Sequence, residues 1–72
     1  MNKQDIGLIY TQYCDKVSRF VRYKIYNPID VEDIVQTVFL KVYSNLDQYD
    51  ETKASLSTWI YTITHNTVYD YL

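Results

Sequence analysis

Seventy-two residues, 47% of them hydrophobic, suffice for one domain, and a chain this short lies near the lower size at which an apolar core holds without staples. Seven Lys and Arg against nine Asp and Glu leave a formal charge of -2, which argues against tight sequence-blind binding to duplex DNA, where phosphate neutralisation supplies most of the affinity. A single cysteine excludes an internal disulfide, and no stretch approaches the ~20 apolar residues that span a bilayer; the expectation is a soluble, cytoplasmic protein in a reducing compartment, with no membrane partner.

The amino end, MNKQDIGLIY, carries no apolar run of signal-peptide length. Ile6, Ile9, Tyr10, Tyr13, Val17, Phe20 and Val21 then recur at spacings of three and four, which predicts an amphipathic helix over about residues 3–26. Cys14 falls inside this pattern and reads as a small packing residue. Lys16, Arg19, Arg22 and Lys24 crowd the same stretch without an acid. Their ordinary reading is a solvated face, and the sharper alternative is a track for phosphates.

Asn27-Pro28 is the strongest break, because proline disfavours helical geometry in the residue before it. Beyond it Val31, Ile34, Val35, Val38, Phe39, Val42, Tyr43 and Leu46 predict a second helix over about residues 30–46, with Asp30 placed to cap its first turn. The core sector leaves Asp33, Gln36, Thr37, Leu40, Lys41 and Ser44 on the opposite surface. Single exposed leucines are ordinary, yet a leucine with a polar rim also suits an anchor that docks in a partner's groove. Asp30, Glu32, Asp33, Asp47, Asp50 and Glu51 dominate this middle part, so the chain has two faces of opposite sign, suited to two different partners.

Residues 47–53 read as a polar loop, after which Ser55 or Ser57 is placed to cap a further element. The last segment, LSTWIYTITHNTVYDYL, fits two structures. Its Thr, Tyr, Ile and Val favour strands, with Trp59, Tyr61 and Ile63 alternating before a turn at His65-Asn66. A helix would instead gather Leu56, Ile60, Ile63, Thr67 and Tyr71 in one sector, leaving Thr58, Thr62, His65, Asn66 and Tyr69 outside it. Local pattern does not choose between them.

Two motifs carry a resemblance. Residues 30–40, DVEDIVQTVFL, resemble the D-A-E-D-L-V-Q-E-V-F-L signature of region two of bacterial sigma factors of the extracytoplasmic-function type. Residues 57–66, STWIYTITHN, followed by Asp70-Tyr71, are similar to that family's F-x-T-W-L-x-x-I-A-x-N-x-x-x-D-Y at the family's spacing. Thr37, Leu56 and Thr64 stand where the family commonly has Glu, an aromatic and Ala. The resemblance implies an all-α fold, a small bundle of three or four helices filling residues 1–72, with the last segment helical over about residues 55–72. It also implies a fragment of a longer factor, without the helix-turn-helix region four.

By the same resemblance the chain is a transcription initiation domain. Asp33, Gln36, Thr37 and Leu40 would dock on the β′ clamp helices of core RNA polymerase. The loop and third helix would melt the promoter minus-ten element by holding its non-template single strand, through Tyr49, Lys53, Ser55, Ser57, Trp59, Thr62 and Asn66. An anti-sigma factor is a further partner the family allows. The chemistry suits the residues, because an unstacked base needs an aromatic or apolar wall and hydrogen bonds to its exposed edge.

Blander readings stand beside these. Trp59 borders the apolar sector and serves equally as core, Asn66 and Asp70 are spaced to pair with each other, and His65 has no cysteine near it to share a metal. With no glycine-rich phosphate loop, histidine-centred triad or paired-carboxylate motif, no enzyme activity, cofactor or metal is expected. The rival function is a helical protein-interaction adaptor that regulates transcription without touching DNA. That rival leaves Trp59 fluorescence unchanged when a minus-ten single strand is added.

Overall fold

The computed structural model describes residues 6–72, with side chains from Gly7 onward, so the expected helix start at residues 3–5 and the core placement of Ile6 lie outside the described residues. The chain forms α1 (Ile6–Lys24), α2 (Pro28–Ser44), a 3₁₀ turn (Leu46–Gln48) and α3 (Leu56–Tyr71). The bundle is three-helical and all-α among the described residues, and the strand alternative for the last segment does not occur. No described helix is long and apolar enough to cross a membrane.

The break at Asn27-Pro28 separates α1 from α2 as expected, but the cap is Asn27 and not Asp30. The Asn27 backbone is extended, its Oδ1 accepts a 2.8 Å bond from the Ile29 N–H, and Pro28 occupies the first turn, where a missing N–H costs nothing. Replacing Asn27 by Ala should cost ~1 kcal/mol of unfolding free energy, with Asp largely restoring it. Urea titrations followed by circular dichroism would show this, and an unchanged midpoint in the Ala variant would refute the cap.

Asp30 does other work. Its Oδ2 accepts a 2.5 Å bond from the Tyr71 hydroxyl, tying the end of α3 to the start of α2, and this bond pushes the Tyr71 phenol above its ordinary range. Tyr71 is therefore half exposed rather than a member of the core sector. Lys41 also leaves its expected place on the outer face of α2, because its Nζ donates to Thr67 Oγ1 on α3 at 3.2 Å. Both contacts join α2 to α3, and the Tyr71–Asp30 bond links the first sequence motif to the second.

All three helices lie against one another, and α2 carries the largest set of buried apolar residues. Val31, Ile34, Val35, Val38, Phe39 and Val42 are all buried, joined by Ile9, Val17, Val21 and Ile25 from the α1 side and by Ile60 and Val68 from α3. Ile25, just past the end of α1, belongs to this core although the spacing pattern did not pick it out. Leu46 is buried too, but in the 3₁₀ turn, because α2 ends at Ser44 where Asn45 folds back onto the Lys41 carbonyl through its backbone and side-chain amides.

Thr64 and Thr67 explain how a β-prone segment becomes a buried helix. Each hydroxyl donates to the carbonyl four residues back, Thr64 to Ile60 at 2.8 Å and Thr67 to Ile63 at 2.7 Å, so both residues enter the core without an unpartnered polar atom. Thr64 fills the place of the family's small Ala in this way. Ser55 caps α3, accepting a 3.2 Å bond from the Thr58 N–H. The ends of α3 are thereby fixed at Ser55 and at the Tyr71–Asp30 tie.

Candidate functional site

The outward surface of α2 follows from the burial of its opposite stripe. Asp33, Gln36, Thr37, Leu40 and Ser44 are all exposed, and Leu40 keeps 64% of its area in solvent. Ile29 is exposed by 70% and stands eleven residues before Leu40, close to three helical turns, so it shares that face. The sequence pattern missed Ile29 because it precedes the motif's periodic stripe. Its spacing of 4, 7 and 11 residues to Asp33, Gln36 and Leu40 was the available signal. Thr37 has its hydroxyl tied to the Asp33 carbonyl at 2.9 Å, leaving its methyl group as the outward feature. The result is an apolar–polar–polar–apolar row, Ile29, Asp33, Gln36 and Leu40, along one side of a helix that is rigidly packed on the other.

The second set of candidates gathers around the turn that enters α3. Asp50 organises this turn: its Oδ1 accepts from the Thr52 hydroxyl at 2.5 Å and from the Thr52 N–H at 2.9 Å, which holds its carboxyl below the usual carboxylate range. Tyr49 closes the loop by donating its hydroxyl to the Ala54 carbonyl at 2.8 Å, and its ring lies 5.1 Å from that of Trp59. Burial, then the Glu51 carboxylate, pushes the Tyr49 phenol up from its ordinary range. Trp59 packs partly against the core and partly on Tyr49, combining the two roles its sequence position allowed.

The remaining residues divide. Lys53 and Asn66 are exposed, and among the described residues Asn66 forms no hydrogen bond with Asp70, so its amide is open to a ligand. Thr62 is exposed but commits its hydroxyl proton to the Thr58 carbonyl at 2.9 Å, which leaves it an acceptor. Ser55 spends its oxygen on the cap, and Ser57 donates to the Tyr13 hydroxyl of α1 at 3.3 Å, away from the Tyr49–Trp59 pair. The structure thus brings Tyr49 and Trp59 together as a wall, while Thr62 and Asn66 follow Trp59 by three and seven residues on α3 and Lys53 lies in the preceding turn. Ser55 instead caps α3, and Ser57 ties the start of α3 to α1.

The basic stretch of α1 does not form one face. Arg22 lines a groove between α1 and α2 beside Glu32, whereas Lys16, Arg19 and Lys24 line the α1–α3 side. On that side Phe20 meets Tyr61 edge-on at 5.2 Å, and Tyr61, His65 and Tyr69 continue as a row of neighbouring rings along α3.

Comparison with known proteins bears on the family of the chain. The family model of sigma-70 region 2 matches residues 9–72. The chain is 31% identical over 72 residues to the RNA polymerase sigma factor SigZ of Bacillus subtilis, covering 99% of this chain and 38% of that protein. It is 34% identical over 58 residues to the ECF RNA polymerase sigma factor SigW of the same organism, covering 81% of this chain and 30% of SigW. It is 28% identical over 65 residues to the ECF RNA polymerase sigma factor BldN of Streptomyces coelicolor, covering 90% of this chain and 25% of BldN. The chain therefore spans between a quarter and two fifths of these relatives' lengths. No solved structure gives a significant match.

Proposed function

Because the chain belongs to the sigma-70 region 2 family, we propose that it acts in transcription initiation, docking on core RNA polymerase through α2 and holding single-stranded promoter DNA at the α3 entry. The observation that carries this reading is the Ile29–Leu40 row on α2, two exposed aliphatic anchors with polar residues between them, on a helix held rigid by a fully buried opposite stripe. Such a face suits a groove between two partner helices, and the β′ clamp helices are that partner. Titrating labelled chain with core polymerase tests the reading, and absence of saturable binding would sink it.

The strand would lie over Tyr49 and Trp59. A base leaving the stack loses a few kcal/mol, and stacking on an aromatic wall returns ~1–3 kcal/mol per base, with Asn66 and Thr62 placed to read its edge. With a formal charge of -2 and no Lys or Arg in α3, the isolated chain should not bind duplex promoter DNA at physiological salt. The polymerase makes the strand contact effectively intramolecular once docking has occurred.

In a complex reconstituted with core polymerase and promoter DNA, Lys53→Ala and Asn66→Ala should each lower permanganate reactivity of the melted strand about tenfold, the loss of roughly one charge-assisted or base-edge hydrogen bond. Neither should release the chain from polymerase. Wild-type footprints in both variants would remove these residues from the site.

A further inference from the structure

The two surfaces above leave the acid-free basic stretch of α1 unused, and its placement is informative. Two shallow clefts meet between α1 and α3 and share Lys16, Phe20 and Tyr61. One, of about 290 Å³, runs from Tyr13 to Thr64, and the other, of about 560 Å³, is bordered by Arg19, Tyr23 and Lys24. Among the described residues no Asp or Glu lines either cleft. Tyr61 is exposed by 54% and Tyr23 by 83%, and Tyr61 is braced by Phe20 at 5.2 Å, so an aromatic face is held open beside three cations.

We propose that this α1–α3 cleft is a second contact surface for single-stranded DNA, with Lys16, Arg19 and Lys24 on backbone phosphates and Tyr61 and Tyr23 stacking on bases. Cations tracking a backbone beside aromatic platforms are what sequence-tolerant single-strand binding requires. The charge balance supports that occupant. The segment from Tyr49 to Trp59 carries one cation, Lys53, and it follows Asp50 and Glu51 in the chain, so that segment does little to neutralise phosphates. The α1 cleft has the opposite composition and begins at the same end of α3, because Ser57 lines it while bonded to Tyr13. A strand leaving the Trp59 side over the start of α3 passes from a base-reading wall to a phosphate-holding one. The inference rests on reading the chain as a strand-capturing domain, and it adds where the backbone charge is met.

The test is an ¹⁵N NMR titration of the 72-residue chain with a thymidine oligonucleotide at low salt, repeated with poly-glutamate. Expected are weak, saturable shifts at Lys16, Phe20, Tyr23 and Tyr61 that poly-glutamate does not reproduce at equal affinity. The pair Lys16→Glu and Arg19→Glu, both at exposed positions, should weaken binding about tenfold or more and flatten the salt slope by about 0.7 per lost phosphate contact. Tyr61→Ala should weaken it about fivefold to a hundredfold with the salt slope intact, the fold-change equivalent of one stacked base. Shifts confined to Tyr49, Lys53, Trp59, Thr62 and Asn66 would overturn the second surface while leaving the first reading in place. No shifts at all would overturn it too, and the polymerase footprint would then judge the first reading separately. Equal binding of poly-glutamate would assign the cleft to an acidic protein segment and likewise overturn the proposal.

Discussion

Phe39→Ala should unfold about half of the protein or more at ambient temperature. Phe39 is 2% exposed, and its ring touches those of Tyr10 at 4.9 Å and Tyr43 at 6.0 Å, so truncation removes both burial and two aromatic contacts. Deleting a buried phenyl group costs ~3–5 kcal/mol, because the surrounding side chains collapse only partly into the cavity. A single small core of this size rarely supplies more than ~3–5 kcal/mol in total. The two quantities are comparable, so the folded fraction of the variant should fall to around half or less. Urea titration of both proteins, followed at 222 nm and by Trp59 fluorescence, measures the loss. A change under ~1 kcal/mol would show that the Phe39 pocket repacks and that the core tolerates a gap there.

The period of the apolar residues made α2 legible, because one helix buried on two sides needs a wide stripe and the sequence supplies six buried residues at helical spacing. Its ends were less so. Asp30 and Asn27 are both good capping residues, and the choice fell to Asn27 because Pro28 suits the first turn and starts the helix two residues earlier than the stripe implies. α3 was not legible from local pattern at all. Its threonines favour strands in isolation, and what permits the helix is an internal hydrogen bond from each buried hydroxyl, a tertiary and rotameric fact that propensity does not encode. Tyr71 illustrates the same point: its angular position is that of a core residue, but the helix end carries it past the core to Asp30.

The candidate surfaces were partly legible. The docking face emerges from subtraction, since whatever α2 does not bury must face outward, and only Ile29 escaped because it lies before the periodic stripe. The loop residues were less readable, because residue type does not reveal how a side chain is employed. Ser55 has the chemistry of a base contact but serves as a cap, and Ser57 reaches across to Tyr13. Tyr49 and Trp59 are forty-nine and fifty-nine in the chain, on either side of a turn whose Asx geometry at Asp50 is what brings the two rings together.

Leu40→Asp should abolish most of the affinity for core polymerase while leaving the fold untouched. The neighbouring residue, Phe39, faces the core, whereas Leu40 is 64% exposed, so an aspartate there meets water in the free chain and needs no burial to fold. On docking, the same aspartate would be driven into an apolar groove, losing the leucine's contact area and stranding a charge without a partner. Apolar anchors of this kind cost ~2–4 kcal/mol when removed, which corresponds to roughly a thirtyfold to thousandfold rise in Kd. Ile29→Asp, which removes the anchor at the other end of the row, should act in the same direction. Thr62→Ala, on α3, should bind polymerase as the wild type does. Anisotropy titrations of labelled chains against core polymerase, with matched circular dichroism spectra, separate these cases. A Leu40→Asp protein that binds with wild-type Kd would place the polymerase contact on some other face than α2, and equal loss in Thr62→Ala would show that the effect was not local to that face.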